Sequence, residues 1–400
     1  MGIDILYCIK YIIGMITRSI ASELLALTNE YPVVTILGPR QAGKTTLAQS
    51  GLPGYAYSNL ESPEVRDFAR SDPKGYLRQF PSNTIIDEIQ RVPELISYIQ
   101  VIVDDEKRNG RFVLTGSHQL QLREAVSQSL AGRTAILHLL PLSIAELTAA
   151  GISFDSFGEY AFRGFLPRIH DQSLRPTTAY SNYYQTYVER DVRQLANLKD
   201  ATLFEKLLKL LAGRAGQLCD YSSLANDVGV DAKTVRNWIS ILEASFLVFR
   251  LPPYFENFGK RAIKSPKIYF TDVGLLTFLL GIRNPEQVTR DPLVGAIFEN
   301  LVVVECLKAR YNCGQMADLY FFRDSNGNEV DLVWKDIGGL AAAEIKSAST
   351  FSSSLLKGLR RLRAIAPGVA RSYLIYNGDS MDLSDQTSVR HYTQTDQLFL

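Results

Sequence analysis

Residues Gly38-Pro39-Arg40-Gln41-Ala42-Gly43-Lys44-Thr45-Thr46 follow the apolar run Val33 to Leu37 and precede Leu47-Ala48-Gln49, so a strand, a glycine-bounded turn and a helix stand side by side. This is the spacing of a phosphate-binding loop. The glycines let the backbone curl until successive N–H groups face phosphate oxygens, and the following helix offers its positive end to the same anion. Lys44 is expected to bridge the β- and γ-phosphates and Thr45 to place its hydroxyl on Mg²⁺. The N–H groups of Gly43, Lys44 and Thr46 would line the pocket.

A second apolar strand, Asn83-Thr84-Ile85-Ile86, ends in the adjacent acids Asp87 and Glu88. Downstream of a phosphate loop, two carboxylates suggest two tasks. Asp87 would hold Mg²⁺, largely through water, and Glu88 would polarise the water that attacks the γ-phosphate. The strand Arg111 to Gly116 leads into Ser117, the candidate polar contact to the γ-phosphate or attacking water, with Thr115 and His118 as substitutes and helix capping as the competing role. Arg133, ahead of the strand Thr134 to Leu140, is a candidate for transition-state charge, in the same chain or across a subunit boundary, against a surface ion pair. Strands alternating with helices imply a parallel sheet covered on both faces, and the whole points to ATP hydrolysis.

A chain of 400 residues exceeds one core, so two or three domains are expected. The net charge of +1 means that any nucleic-acid contact must use a local basic face. Cys8, Cys219, Cys306 and Cys313 have neither metal-ligand spacing nor a disulfide framework, which suits a reducing cytoplasm. Residues 1–14 are apolar but too short to span a bilayer and lack a signal-peptide pattern, so no membrane role is expected. Met15 opens an amphipathic helix and is the expected natural start, which makes 1–14 an extension. The segment 151–200 reads as a helical connector; Arg190 and Arg193 on its aromatic-rich helix are secondary candidates for nucleotide-linked contacts.

Residues 201–270 contain a second constellation. Tyr221 to Val228, the turn at Gly229 and Asp231 to Leu242 have helix-turn-helix spacing. Leu224, Ala225, Val228, Val235, Ile239 and Leu242 can face inward, leaving Lys233, Thr234, Arg236 and Asn237 on the start of the recognition helix. Phe246 to Leu251 and the basic stretch with Lys260, Arg261, Lys264 and Lys267 could form a wing that touches DNA phosphates. A third constellation lies in 271–400: Asp331, then after a gap of 12 residues Glu344-Ile345-Lys346, on adjacent strands. Two carboxylates can bind a second divalent metal, the lysine can orient water, and Glu299 could add a carboxylate from a helix.

Together these stretches, with Leu114 to Ser117, Ala131 to Arg133, Tyr187 to Arg193, Ser265 to Phe270, Asp272, Gly274 and Glu329-Val330-Asp331, resemble the prokaryotic AAA-type ATPases that pair an N-terminal P-loop domain with a C-terminal domain named DUF4143. The resemblance runs from about Met15 to the end. It implies an α/β architecture: an AAA-like P-loop domain (15–150), the helical connector, a winged-helix-like portion, and a fold similar to PD-(D/E)xK restriction-endonuclease-like nucleases. Val330 stands where the nuclease motif has its proline, which leaves cleavage open. Two function classes follow. One is an ATPase whose cycle drives a DNA-binding, nucleolytic C-terminal half; the other is an ATP-switched regulatory or interaction module, acting with itself or a regulatory protein, whose nuclease-like domain is inactive.

Overall fold

In the computed structural model the described residues are 16–117, 129–192, 201–254, 265–366, 368–384 and 386–399, with the side chains of 189–192 outside the description. Helix α1 (Ala21–Glu30) leads into β1 (Val33–Leu37), and the phosphate loop turns directly into α2 (Lys44–Gly51). β2 (Ala56–Asn59), β3 (Thr84–Asp87), helix α3 (Leu95–Glu106), β4 (Phe112–Gly116) and β5 (Thr134–His138) complete the N-terminal layer. The sheet order is β2-β3-β4-β1-β5, and every pairing is parallel.

That order has a functional consequence. Parallel strands point the same way, so the carboxyl ends of β1, β3 and β4 share one edge, as ligand-binding edges of open α/β sheets do. The phosphate loop, Asp87-Glu88 and Ser117 all leave the sheet there. All five residues of β1 are buried. Val33 and Leu37 pack into one apolar layer and Val34 and Ile36 into another, the period-two alternation of a sheet covered on both faces.

Beyond α4 (Ile144–Ala149), capped by Ser143, short helices Phe157–Arg163, Pro167–Asp171 and Pro176–Tyr183 lead into a π-helical stretch, Tyr184–Val192. Buried Asp272 fastens this segment: its carboxylate accepts from Tyr180 Oη at 2.8 Å, from the Phe165 N–H at 3.2 Å and from the Gly274 N–H at 2.8 Å. Helices Val273–Leu279 and Pro285–Arg290 accordingly pack back on Phe157–Arg163.

The expected pair of helices is present as α6 (Tyr221–Val228) and α7 (Ala232–Ala244), preceded by α5 (Ala201–Ala212). Asp220 caps α6, Gly229 ends it at φ 93°, and Asp231 caps α7. The six predicted inward residues are all buried. β6 (Val248–Leu251) and β7 (Lys267–Phe270) follow as an antiparallel pair.

The C-terminal sheet has the order β12-β13-β11-β10-β9-β8. Helix α8 (Val294–Asn312) precedes the antiparallel run β8 (Tyr320–Arg323), β9 (Glu329–Asp336) and β10 (Gly339–Lys346). Helix α9 (Lys357–Ile365) then crosses to β11 (Val369–Tyr376), parallel to β10, and β12 (Met381–Asp382) and β13 (Thr387–His391) close the far edge. Among the described residues no helix is long and apolar enough to cross a membrane.

Candidate functional site

The phosphate loop owes its shape to two glycines. A Cβ on Gly38 would lie 2.0 Å from the Leu139 carbonyl oxygen, so any side chain there would drive the loop from the sheet. Gly43 caps α2 in the left-handed region at φ 89°, where a side chain is strained. Lys44 Nζ donates to the carbonyls of Gly38 at 3.0 Å and Pro39 at 2.8 Å. Its burial, only partly offset by the charges of Glu88 and Asp87, brings its pKa down to about 8.

Asp87 is 4% exposed and accepts from hydroxyls on three other elements. Thr45 Oγ1 lies 2.9 and 3.1 Å from its two oxygens, Tyr57 Oη lies 3.0 Å from Oδ2, and Thr115 Oγ1 donates to Oδ1. A hydroxyl beside a carboxylate is the hard-oxygen donor set that Mg²⁺ takes, so Thr45 and Asp87 fit that ion. An Mg²⁺ held by these two residues would supply neutralisation of phosphate charge. The Glu88 N–H donates to Thr115 Oγ1 at 3.1 Å, which braces Glu88 in the left-handed region at φ 57°, a conformation most residues avoid. Its carboxylate then meets Gln90 Nε2 and, at 3.3 Å, Ser117 Oγ. Glu88, Gln90 and fully buried Ser117 thus form one hydrogen-bonded cluster beside Thr45 and Asp87, a carboxylate and donors of the kind that can hold a water. Sequence reasoning gave Thr115 only as a substitute for Ser117, and it missed Tyr57 and Gln90. Thr115 had a visible signal, its place two residues before Ser117, on the same side of the extended chain.

Arg133 stands elsewhere. Its carbonyl accepts from the Val33 N–H at 3.1 Å, at the beginning of β1, whereas the phosphate loop leaves the other end, about 16 Å further along a strand of this length. Its guanidinium pairs with Asp104 on α3, at 2.5 and 2.9 Å. The same-chain role expected for Arg133 is therefore corrected: parallel register puts it at the wrong edge. A cleft of about 760 Å³ lined by Leu77, Phe80, Tyr98, Ile102 and Arg111 lies at that edge too. In the loop itself, Arg40 lies 3.6 Å from Glu61.

The C-terminal constellation does converge. Asp331 Oδ2 accepts from the Ile345 N–H at 2.8 Å and from Lys346 Nζ at 3.0 Å, and Lys346 reaches Glu344 Oε1 at 3.1 Å. Burial works against the Lys346 ammonium, but Asp331 and Glu344 outweigh it and hold its pKa up at about 12. Burial and the Asp331 charge push Glu344 up to about 7, and its Oε2 is buried without a hydrogen-bond partner among the described residues.

Lys267 changes the chemistry of this cluster. It is 2% exposed, and its Nζ lies 3.0 Å from Glu299 Oε1, 2.5 Å from Glu329 Oε1 and 4.0 Å from Asp331 Oδ1. Tyr269 Oη also donates to Glu299, at 2.6 Å. Burial disfavours the Lys267 ammonium, yet these carboxylates raise its pKa above the ordinary lysine value. The expected contact of Lys267 with DNA is corrected, because the side chain is enclosed and fully engaged. The expected second divalent metal gains no support here. Among the described residues no three Asp, Glu, His or Cys side chains group as a metal site; the acids are spread around an ammonium that supplies the positive charge.

On α7, Lys233, Arg236 and Asn237 are exposed. Arg236 lies 5.1 Å over the Tyr221 ring, and the Thr234 hydroxyl is committed to Asp231 at 2.6 Å. Lys260, Arg261, Lys264, His118, Arg193 and residues 1–15 lie outside the described residues, as does the Arg190 side chain.

With this geometry in hand, three family models match the chain: an AAA domain over residues 30–148, a domain of unknown function named DUF8612 over 154–286, and DUF4143 over 294–394. An uncharacterized protein of Mycobacterium tuberculosis is 32% identical over 90% of this chain and 80% of its own length. One of Haemophilus influenzae is 26% identical over 75% of this chain and 80% of its own length. Among solved structures, a Walker-type ATPase of Pyrococcus abyssi is similar with a TM-score of 0.44 at 12% identity, covering 65% of this chain and 94% of that one.

Proposed function

The chain belongs to the AAA-type P-loop ATPases that carry a C-terminal DUF4143 domain, and from that premise we propose that its nucleotide cycle switches a DNA-binding C-terminal half whose nuclease-like fold does not cut. In the ATPase site Lys44 holds the β- and γ-phosphates, the loop from Gly38 to Thr46 cradles them, and Thr45 with Asp87 holds Mg²⁺. Glu88 activates the attacking water, with Ser117 and Gln90 orienting it. Arg133, half-buried and paired with Asp104 on the far edge of the sheet, serves the site of a neighbouring copy. The protein works in the cytoplasm; buried free thiols at Cys219 and Cys306 suit that setting.

The observation that carries the reading of the C-terminal half is Lys267 among Glu299, Glu329 and Asp331. The order helix, three-stranded antiparallel run, helix, parallel strand from α8 to β11 supports a PD-(D/E)xK-like core. The capped pair α6 and α7, followed by the β6–β7 pair, supports a winged-helix-like module. A resident ammonium in place of a metal argues that the first of these keeps its scaffold and not its cleavage chemistry.

Purified protein with duplex DNA and Mg²⁺ or Mn²⁺ tests this. Expected is an ATP-dependent change in DNA affinity at low salt, without strand cleavage. Metal-dependent cleavage that disappears in Asp331→Ala, Glu344→Ala and Lys346→Ala would favour the nucleolytic reading, which draws its support from Glu344 Oε2, without a hydrogen-bond partner among the described residues, beside Lys346. Absence of any DNA affinity at low salt removes DNA as the partner and leaves the interaction module.

A further inference from the structure

Arg18 belongs to none of the motifs, yet it is 9% exposed and touches the phosphate loop. Its Nη1 donates to the Ala42 carbonyl at 2.6 Å, its Nη2 to the Leu140 carbonyl at 2.7 Å, and its Nε to Glu146 Oε1 at 3.0 Å. A guanidinium is a rigid planar fork, so these three acceptors are fixed relative to one another. The consequence for the loop follows from peptide planarity. In a trans peptide the C=O and the next N–H point opposite ways, so holding the Ala42 carbonyl on Arg18 turns the Gly43 N–H toward the other side, where phosphate oxygens bind.

Arg18 is itself held. Glu146 is 1% exposed; its Oε1 also accepts from the Ser19 N–H at 2.8 Å and its Oε2 from the Ser143 N–H at 2.9 Å. The same short stretch after β5 is gripped from the C-terminal half. The Ile144 N–H donates to Glu305 Oε2 at 2.7 Å, Lys308 Nζ donates to the Leu142 carbonyl at 2.7 Å, and Lys308 and Glu305 pair at 2.7 Å, all fully enclosed. Glu305 and Lys308 lie on α8, the helix whose earlier turn carries Glu299 into the acidic cluster.

We propose that Arg18 is a positioning residue of the ATPase site, presenting the Gly43 N–H to the nucleotide phosphates, and that through Glu146 and residues 140–144 it ties the loop to α8. The positioning role rests on the ATPase activity alone; the tie to α8 rests on the coupling proposed above.

The test uses the full chain and a fluorescent ATP analogue. Arg18→Met should weaken binding about tenfold or more, the scale of one charge-assisted hydrogen bond, raise KM in parallel and leave kcat within about threefold. Arg18→Lys, which reaches fewer acceptors, should recover part of the loss. The isosteric double variant Glu305→Gln/Lys308→Met removes both ends of a buried pair, a change that stability often tolerates. It should weaken nucleotide binding about threefold in the native background and not at all in the Arg18→Met background, the signature of coupled residues. Native affinity and KM in folded Arg18→Met overturn the positioning role; if that variant does not fold, native affinity in Arg18→Lys does so. Additive effects in the cycle overturn the tie to α8, whatever the DNA-binding result, and DNA binding that fails while the cycle shows coupling removes the DNA reading alone.

Discussion

Lys267 Nζ lies 3.0 Å from Glu299 Oε1, its side chain 3% exposed, and this pair sets the electrostatics of the C-terminal half. Removing the ammonium leaves the half-buried carboxylates of Glu299 and Glu329 and the buried one of Asp331 facing one another. Breaking such a buried pair from one side costs about 3–5 kcal/mol. Lys267→Met should lose that much in urea denaturation, and the added change Glu299→Gln should restore part of it. A Lys267→Met protein as stable as the native one would mean that the ammonium is not what balances the cluster.

The Thr115 hydroxyl links the acid that ends β3 to the one that follows it, donating to Asp87 while accepting the Glu88 N–H. Glu88→Gln should bind ATP like the native chain but hydrolyse it about 10²–10⁴-fold more slowly, the range of a positioned general base. Thr115→Val keeps the shape but leaves the Glu88 N–H without its acceptor and Asp87 short of a donor; it should cost about 1–3 kcal/mol of stability and lower kcat. Steady-state ATPase rates with nucleotide titrations measure both. Native turnover in Glu88→Gln would reassign the base.

Lys44 gives the nucleotide site a pH signature. Its pKa of about 8 lies below the ordinary 10.5 because burial disfavours the charged form, so folding releases a proton in that window and this group stabilises the fold as pH rises through it. Phosphate binding acts the other way: it favours the ammonium, so above pH about 8 ATP binds with proton uptake. Affinity should be flat in this group's contribution below about pH 8 and fall by up to about tenfold per unit above it. Titrations of a fluorescent ATP analogue from pH 7.5 upward measure this, and Lys44→Met should bind weakly with no such slope. A flat native profile through pH 9.5 would assign the phosphate contact to another group.

What the sequence disclosed divides along physical lines. The phosphate loop, Asp87-Glu88 and the α6–α7 pair are legible because each is local: glycine spacing, a strand ending in acids, and caps at Asp220 and Asp231 are set by neighbours in the chain. Ser117 was legible as the polar residue ending the strand after Asp87-Glu88, where related nucleotide hydrolases place a polar contact to the γ-phosphate. Arg133 misled because a residue's distance from the loop depends on which end of a parallel strand it occupies, and its place ahead of β5 was read without the register that pairs Thr134 with Val33. Lys267 misled because a basic run looks solvent-exposed in sequence, while its partners Glu299, Glu329 and Asp331 are supplied by α8 and β9. Arg18 and Tyr57 carried no signal at all, since both act through long-range contacts.

Helix α7 carries the remaining prediction. Lys233 and Arg236 are exposed on its first turns, and a lysine or arginine that meets a DNA phosphate contributes about one unit to the salt dependence of binding. Lys233→Ala and Arg236→Ala should each weaken duplex binding evenly across sequences and reduce the slope of log K against log salt by about 1. Thr234→Ala is the control, because its hydroxyl is engaged with Asp231 at 2.6 Å and faces the cap; it should lower helix stability and leave the slope alone. Arg236 also lies over the Tyr221 ring, so Arg236→Lys, which keeps the charge and loses the stacking, separates the two contributions: an unchanged slope with weaker binding assigns the ring contact to orientation and the charge to phosphate. Native slopes in both alanine variants would show that α7 does not meet DNA phosphates, and the exposed face would then belong to a protein contact under the same ATPase.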